Sequence, residues 1–136
     1  MVERAGVGAF DHMLHGGAAP TRVQWYFRES TQLPVAVQSW QLPPGGSEGM
    51  HTHREDAPLE ELYVLVSGRA VMRVDDETYE LAAGDAVLAP AGSDHDLRNA
   101  GENTAHVLVI WGNPGTALDW SRFVTGRMAH DAAQRD

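Results

Sequence analysis

The chain contains no cysteine. That absence removes disulfides, thiolate metal ligands and cysteine nucleophiles together, and it agrees with a reducing compartment. Lysine is missing too: all ten basic residues are arginine, so Schiff-base chemistry is excluded. Positive charge is scarce in general, with 19 Asp and Glu against 10 Lys and Arg for a net charge of −9. Such a surface repels the phosphates of nucleic acid and anionic lipid headgroups, so neither is expected as a partner. Long apolar runs are also absent, none approaching the roughly 20 residues that cross a bilayer. The N-terminal stretch lacks the charged start and apolar centre of a signal peptide, because Gly, Ala and His interrupt it. A soluble, cytoplasmic protein is the expectation.

What is present fits one all-β domain. A length of 136 residues suffices to bury roughly two-thirds of the unfolded surface. Residues 1–20, rich in Gly and Ala and ended by Pro20, read as a flexible N-terminal arm, or as a strand lent to a partner subunit. From Val23 the texture changes: Val23, Trp25 and Phe27 alternate with polar neighbours, as half-buried strands do. Val35–Leu42 predicts a second strand, stopped by Pro43-Pro44-Gly45-Gly46. Further strands are predicted at Met50–His53, Leu62–Val66, Arg69–Asp75, Thr78–Leu81, Ala86–Ala89, His95–Arg98 and His106–Trp111. Short strands punctuated by Gly and Pro at this spacing indicate a sandwich or barrel, here spanning residues 21–113. In 114–136 only Leu118–Val124 looks helical, with Trp120 and Phe123 three apart, and the polar tail beyond is expected to fray.

The chemistry concentrates in three histidines and a carboxylate. His51 and His53 are two apart, so on a strand both rings leave one face. Glu61 heads the apolar stretch Leu62-Tyr63-Val64-Leu65-Val66, where an unpaired charge is costly to bury. His95 starts another strand just after Pro90-Ala91-Gly92. Three imidazoles and a carboxylate suit one divalent transition metal: Fe, Mn, Ni, Zn, Co or Cu. Mg²⁺ and Ca²⁺ call for more oxygen donors.

At these residues the chain resembles the cupins, in particular their small single-domain conserved-barrel type. Gly45, His51, His53, Glu61 and Gly68 fill the first cupin motif, and Gly84, Pro90, Gly92, His95 and Asn99 fill the second. The resemblance implies a single jelly-roll β-barrel with a short C-terminal helix, holding its metal on His51, His53, Glu61 and His95. One departure is the spacer of seven residues between His53 and Glu61, longer than is usual in that family. The polar, proline-containing Arg54–Pro58 insertion reads as an extended hairpin loop. Glu55 and Glu60 lie nearby, but Glu61 stands at the motif distance from Gly68 and shares a strand face with Tyr63 and Leu65.

The remaining candidates divide between packing and function. Gly68, Gly84 and Gly92 are expected at turns, and Asn99 at a turn or strand end. His12 and His15 are expected as an exposed pair in the arm and His130 as solvated, while His106 sits on a strand with its facing open. Trp25, Trp40, Trp111 and Trp120 are expected in the core or a subunit interface. Tyr63 lies two residues past Glu61 on the metal-facing side, where its hydroxyl could meet a substrate or its ring could simply pack in the barrel. The function expected is a metal-dependent enzyme acting on a small oxygenated organic molecule, by a dioxygenase or a cyclase/isomerase type of step. A non-catalytic, metal-dependent binding or sensing module is the alternative. The resemblance further implies a homodimer and chemistry of the aromatic or polyketide-cyclase kind.

Overall fold

A computed structural model describes residues 1–53, 55–115 and 126–135. Nine strands form two antiparallel sheets: β1 (Phe10–His12), β2 (Thr21–Trp25), β3 (Ala36–Leu42), β4 (Glu60–Ser67), β5 (Ala70–Val74), β6 (Glu77–Leu81), β7 (Ala86–Ala89), β8 (His95–Arg98) and β9 (Ala105–Gly112). The larger sheet runs β1-β2-β3-β9-β4-β7 and the smaller β6-β5-β8. One helix among the described residues, α1 (Arg127–Ala133), follows. No helix of the described residues is long and apolar enough to cross a membrane.

Alternation along the strands decides which side chains reach the interior. On β4 Glu61, Tyr63 and Leu65 are buried, on β9 Ala105, Val107 and Val109, and on β3 Gln38, Trp40 and Leu42. The register sets Trp40 opposite Val107 and Tyr63 opposite Val109, so one apolar layer spans three strands. Met72 and Leu97 close it from the second sheet. Each fully buried Leu or Met here contributes roughly 1.5–3 kcal/mol by leaving water.

Three expectations are revised by the fold. Met50–His53 does not form a strand; His51 instead makes an isolated bridge to His95, each N–H donating to the other's carbonyl at 3.1 and 2.9 Å. Gly49, with φ 97°, bends the chain out of extended geometry just before it. Residues 1–20 are more than a loose arm: β1 pairs with β2 of its own chain, Phe10 opposite Val23. The chain then folds back over the open end of the barrel. The Leu118–Val124 helix lies outside the described residues, while α1 falls within the tail that was expected to fray.

Gly49 also lets the arm seat. A Cβ there would stand 2.4 Å from the carbonyl oxygen of His15, in a backbone conformation that L side chains rarely adopt. Gly49→Ala is therefore expected to lift His15 off the site and destabilise the fold by about 1–3 kcal/mol. Thermal unfolding, with the His15 imidazole proton shifts as a second readout, checks this.

Candidate metal centre

Two sheets and one loop bring the four sequence-selected residues together. Glu61 comes from the start of β4, His95 from the start of β8, and His51 and His53 from the loop bridged to β8. One ligand atom from each of the four lies within 4.8 Å of all the others, so this group could hold a metal ion. His53 Nε2 is 2.8 Å from Glu61 Oε1 and His95 Nε2 is 3.1 Å from Glu61 Oε2. The alternation argument for Glu61 holds in space: Glu60 faces the opposite side of the sheet, and Glu55 is exposed.

Backbone contacts fix the imidazoles in a donating orientation. The Nδ1–H of His51 donates to the Gly49 carbonyl (2.9 Å), and that of His95 to the Ser93 carbonyl (3.0 Å). His51 is thereby left with an unprotonated Nε2 for the centre, while the Nε2–H of His95 donates to Glu61 Oε2, a proton that a metal would have to displace. His51 Nε2 is buried and has no hydrogen-bond partner. A buried acceptor of this kind costs about 1–3 kcal/mol unless something occupies it. A transition metal with nitrogen and oxygen donors fits that vacancy of bonding.

Behind the four stands a residue that the sequence reading passed over. Glu48 is wholly buried in the loop before His51, with Oε1 2.9 Å from the Tyr63 hydroxyl and 3.6 Å from His51 Nε2. The Tyr63 hydroxyl also contacts Glu61 Oε2. One hydroxyl proton cannot serve two carboxylates. Burial first, and then the neighbouring Glu61 charge, push the Glu48 carboxyl well above the usual range, so it keeps its proton. Glu48 then donates to Tyr63, and Tyr63 donates to Glu61. Burial alone would raise Glu61, but hydrogen bonds from His95 and Tyr63 outweigh it and hold that carboxyl at about 2. Tyr63, for which substrate contact and barrel packing were both open, is fully buried with its hydroxyl on the two acids.

The other histidines are now placed. His15, exposed as expected, also stacks on His51 with ring centroids 3.6 Å apart. His15, Glu48 and His51 also offer donor atoms within 4.8 Å of one another. His51 has a single free nitrogen, so this is an extension of one centre and not a second. His12 is exposed beside the same mouth; His106 faces outward, 2.7 Å from Ser39 Oγ; His130 is exposed on α1.

The centre opens into a cavity of about 300 Å³. Trp25, Trp40 and Trp111 line it, so these residues are not confined to core or interface; Trp120 lies outside the described residues. Phe10, Leu14 and His15 of the N-terminal arm complete the wall. A wider groove of about 580 Å³ follows the outer face of β4, β7 and β9, but it contains no histidine and no residue of the centre.

Charge at the centre predicts how metal uptake responds to pH. Burial disfavours the His95 cation, yet the bonds to Glu61 and the Ser93 carbonyl outweigh that and raise its value above 6.5. His51, lowered by burial to about 4, and Glu61, at about 2, hold no competing proton near neutrality. A metal must therefore displace the His95 proton at and below pH 6.5. Affinity is expected to climb by about tenfold per pH unit on this account, then level above the raised His95 value. Competition titration against a coloured chelator from pH 5.5 to 8.5 checks the slope.

A family model described as "Cupin domain" matches residues 38–111. An uncharacterised protein of Streptomyces coelicolor is 34% identical over 89 residues, covering 65% of this chain and 80% of that protein. The "Oxalate-binding protein" of Thermotoga maritima is 29% identical over 69 residues, 51% of this chain and 54% of its own length. Among solved structures, one described as a predicted oxalate decarboxylase from Thermotoga maritima superposes with a TM-score of 0.71 at 22% identity, covering 84% of this chain and all of that one. At that identity the likeness is one of fold.

Proposed function

Because this chain belongs to the cupin family, we propose that it is a metal-dependent enzyme acting on a small oxygenated organic molecule, by an oxygenase or a cyclase/isomerase type of step. The observation that carries the reading is His51 Nε2, buried and unpartnered among three further donors, two of which, His53 and Glu61, line a cavity. A structural cluster would pair that nitrogen; a metal-binding one leaves it free. His51, His53, Glu61 and His95 would hold a divalent transition metal. Such an ion supplies Lewis acidity toward a substrate oxygen or, as iron, reactivity with dioxygen.

The chain's own residues do the rest. The carbonyls of Gly49 and Ser93 hold the rings of His51 and His95 in register. Tyr63 and Glu48 keep Glu61 oriented and ionised. Trp25, Trp40 and Trp111 exclude water from the mouth, which strengthens every electrostatic contact inside it.

Untagged protein purified without oxygen or chelator is expected to carry about one transition metal per chain. The metal found then chooses the assay: oxygen uptake for iron, non-redox cyclisation or isomerisation for zinc or nickel. Chelation should abolish turnover and metal return should restore it. Turnover that persists in metal-free protein would end this reading.

The name of the oxalate-binding relative favours a second reading, a metal-dependent binding module without turnover. A ligand retained by the loaded protein and recovered unchanged after long incubation would support it.

A further inference from the structure

Resting on the metal centre proposed above, we infer that the cavity takes a ring-bearing molecule that binds through oxygen as a single anion, and discriminates against compact dianions such as oxalate. Two independent features of the wall lead there: its surface and its charge.

The surface is aromatic. Trp25 and Trp111 meet edge to face, their ring centroids 5.2 Å apart, and Trp40 stands against Tyr63 at 6.0 Å. Phe10, Leu14, Val23 and Leu59 fill the spaces between. Such a wall gains from a flat apolar partner and offers little to a small, fully hydrated anion. The size agrees: about 300 Å³ is roughly twice the dry cavity of about 150 Å³ that admits one benzene ring. Oxalate, with no apolar surface, would leave most of that volume to water.

The charge count is equally selective. A divalent ion on three neutral imidazoles and one carboxylate leaves a net charge of +1. Glu48 adds no positive charge whatever its proton does. Among the described residues no arginine lines the cavity, and the chain has no lysine. A singly charged phenolate, enolate or carboxylate brings the total to zero. A dianion leaves a second negative charge beside Glu48 that only the imidazoles of His12 and His15 face in a mostly apolar enclosure, an arrangement that is expensive to desolvate.

The arm supplies part of this selectivity. Phe10, Leu14 and His15 lie outside the segment that matches the family model, yet all three line the cavity. The barrel provides the metal donors, and the arm narrows what can reach them.

Tropolone and oxalate make a suitable pair of probes. Both close a five-membered chelate through two oxygens; tropolone is a ring and a monoanion, oxalate a ringless dianion. Binding to protein loaded with its metal is measured by tryptophan fluorescence and calorimetry, and each affinity is divided by that of the same probe for the free ion. The corrected preference for tropolone is expected to reach at least about tenfold. Trp25→Leu and Trp111→Leu, made separately, should each weaken tropolone several-fold more than oxalate while leaving metal content unchanged. A corrected preference at or below unity overturns the inference even if both variants fail to fold. Equal weakening of both probes in a folded, fully loaded variant also overturns it. Wild-type protein that takes up no metal defeats the proposed centre instead, a distinct result read by elemental analysis before either probe is added.

Discussion

His51→Ala is expected to lower transition-metal affinity by more than a hundredfold while costing the metal-free protein little stability. The first half follows from the loss of a direct donor, since even residues that merely orient a ligand cost about 10–100-fold when removed. The second half is specific to this site. His51 holds its loop by backbone bonds to His95, which any side chain preserves. Its Nε2 has no partner to lose; the Nδ1 bond to Gly49 and the stacking on His15 disappear. Metal-free wild type and variant should thus unfold within about 2 kcal/mol of each other. Metal should separate them: at a hundred times its dissociation constant it stabilises wild type by about 2.7 kcal/mol and the variant hardly at all. Turnover should vanish with the metal. A metal-free variant that unfolds many degrees early would mark His51 as a packing residue. His95→Ala is a poorer test, because that ring is itself buried and its removal leaves a cavity.

The opposite outcome is expected of Asn99→Ala: severe loss of stability with the metal retained. Asn99 is buried at the end of β8, and its amide donates to the carbonyls of Leu42 (3.0 Å) and Asn103 (2.8 Å). Its own carbonyl accepts from the Gly101 N–H at 2.9 Å. One side chain therefore ties the end of β3, the end of β8 and the turn into β9. Alanine abandons three backbone groups at about 1–3 kcal/mol each where water does not replace the bond, so a loss of about 3 kcal/mol or more is expected. For a chain of this length that lowers Tm by about 10 °C. Calorimetry on the metal-free protein reads the first effect, and metal content per folded chain should stay near that of wild type. Metal loss at unchanged Tm would instead place Asn99 in the centre.

The convergence of His51, His53, Glu61 and His95 and most strands were legible in the sequence because both depend on local rules. Strand alternation puts Glu61, Tyr63 and Leu65 on one face and Glu60 on the other. Gly and Pro mark the turns, so Ala86–Ala89 and His95–Arg98 agree with the structure residue for residue. What escaped depends on contacts between distant segments. Glu48 reads as a loop acid between Ser47 and Gly49, and nothing local says it is buried. Its burial arises because its N–H donates to the Leu97 carbonyl and the neighbouring Ser47 bridges Arg98. A usable signal was its position three residues before His51, within the same glycine-flanked loop. His15 escaped for a similar reason. Its stacking on His51 needs the arm to fold across the barrel, and the Gly- and Ala-rich composition of residues 1–20 argues only for freedom. Trp40 is the core residue expected and Trp111 packs against that core, yet both also border the cavity with Trp25; aromatic residues on half-buried strands look alike from the sequence, whether they face a core, a cavity or both.

β1 has one more effect, on how molecules of this protein meet each other. A sheet that ended at β2 would present five residues of open backbone, Thr21–Trp25, to any passing strand. β1 pairs with three of them, Thr21, Arg22 and Val23. The new rim it creates is only three residues long and carries Asp11, ion-paired with Arg22. Short, charged rims are how soluble sheets avoid joining edge to edge. Any shortening of the chain past His12 would strip the wall of the cavity and expose this adhesive border together, so lost turnover in such a protein would have to be separated from aggregation before it is blamed on the site.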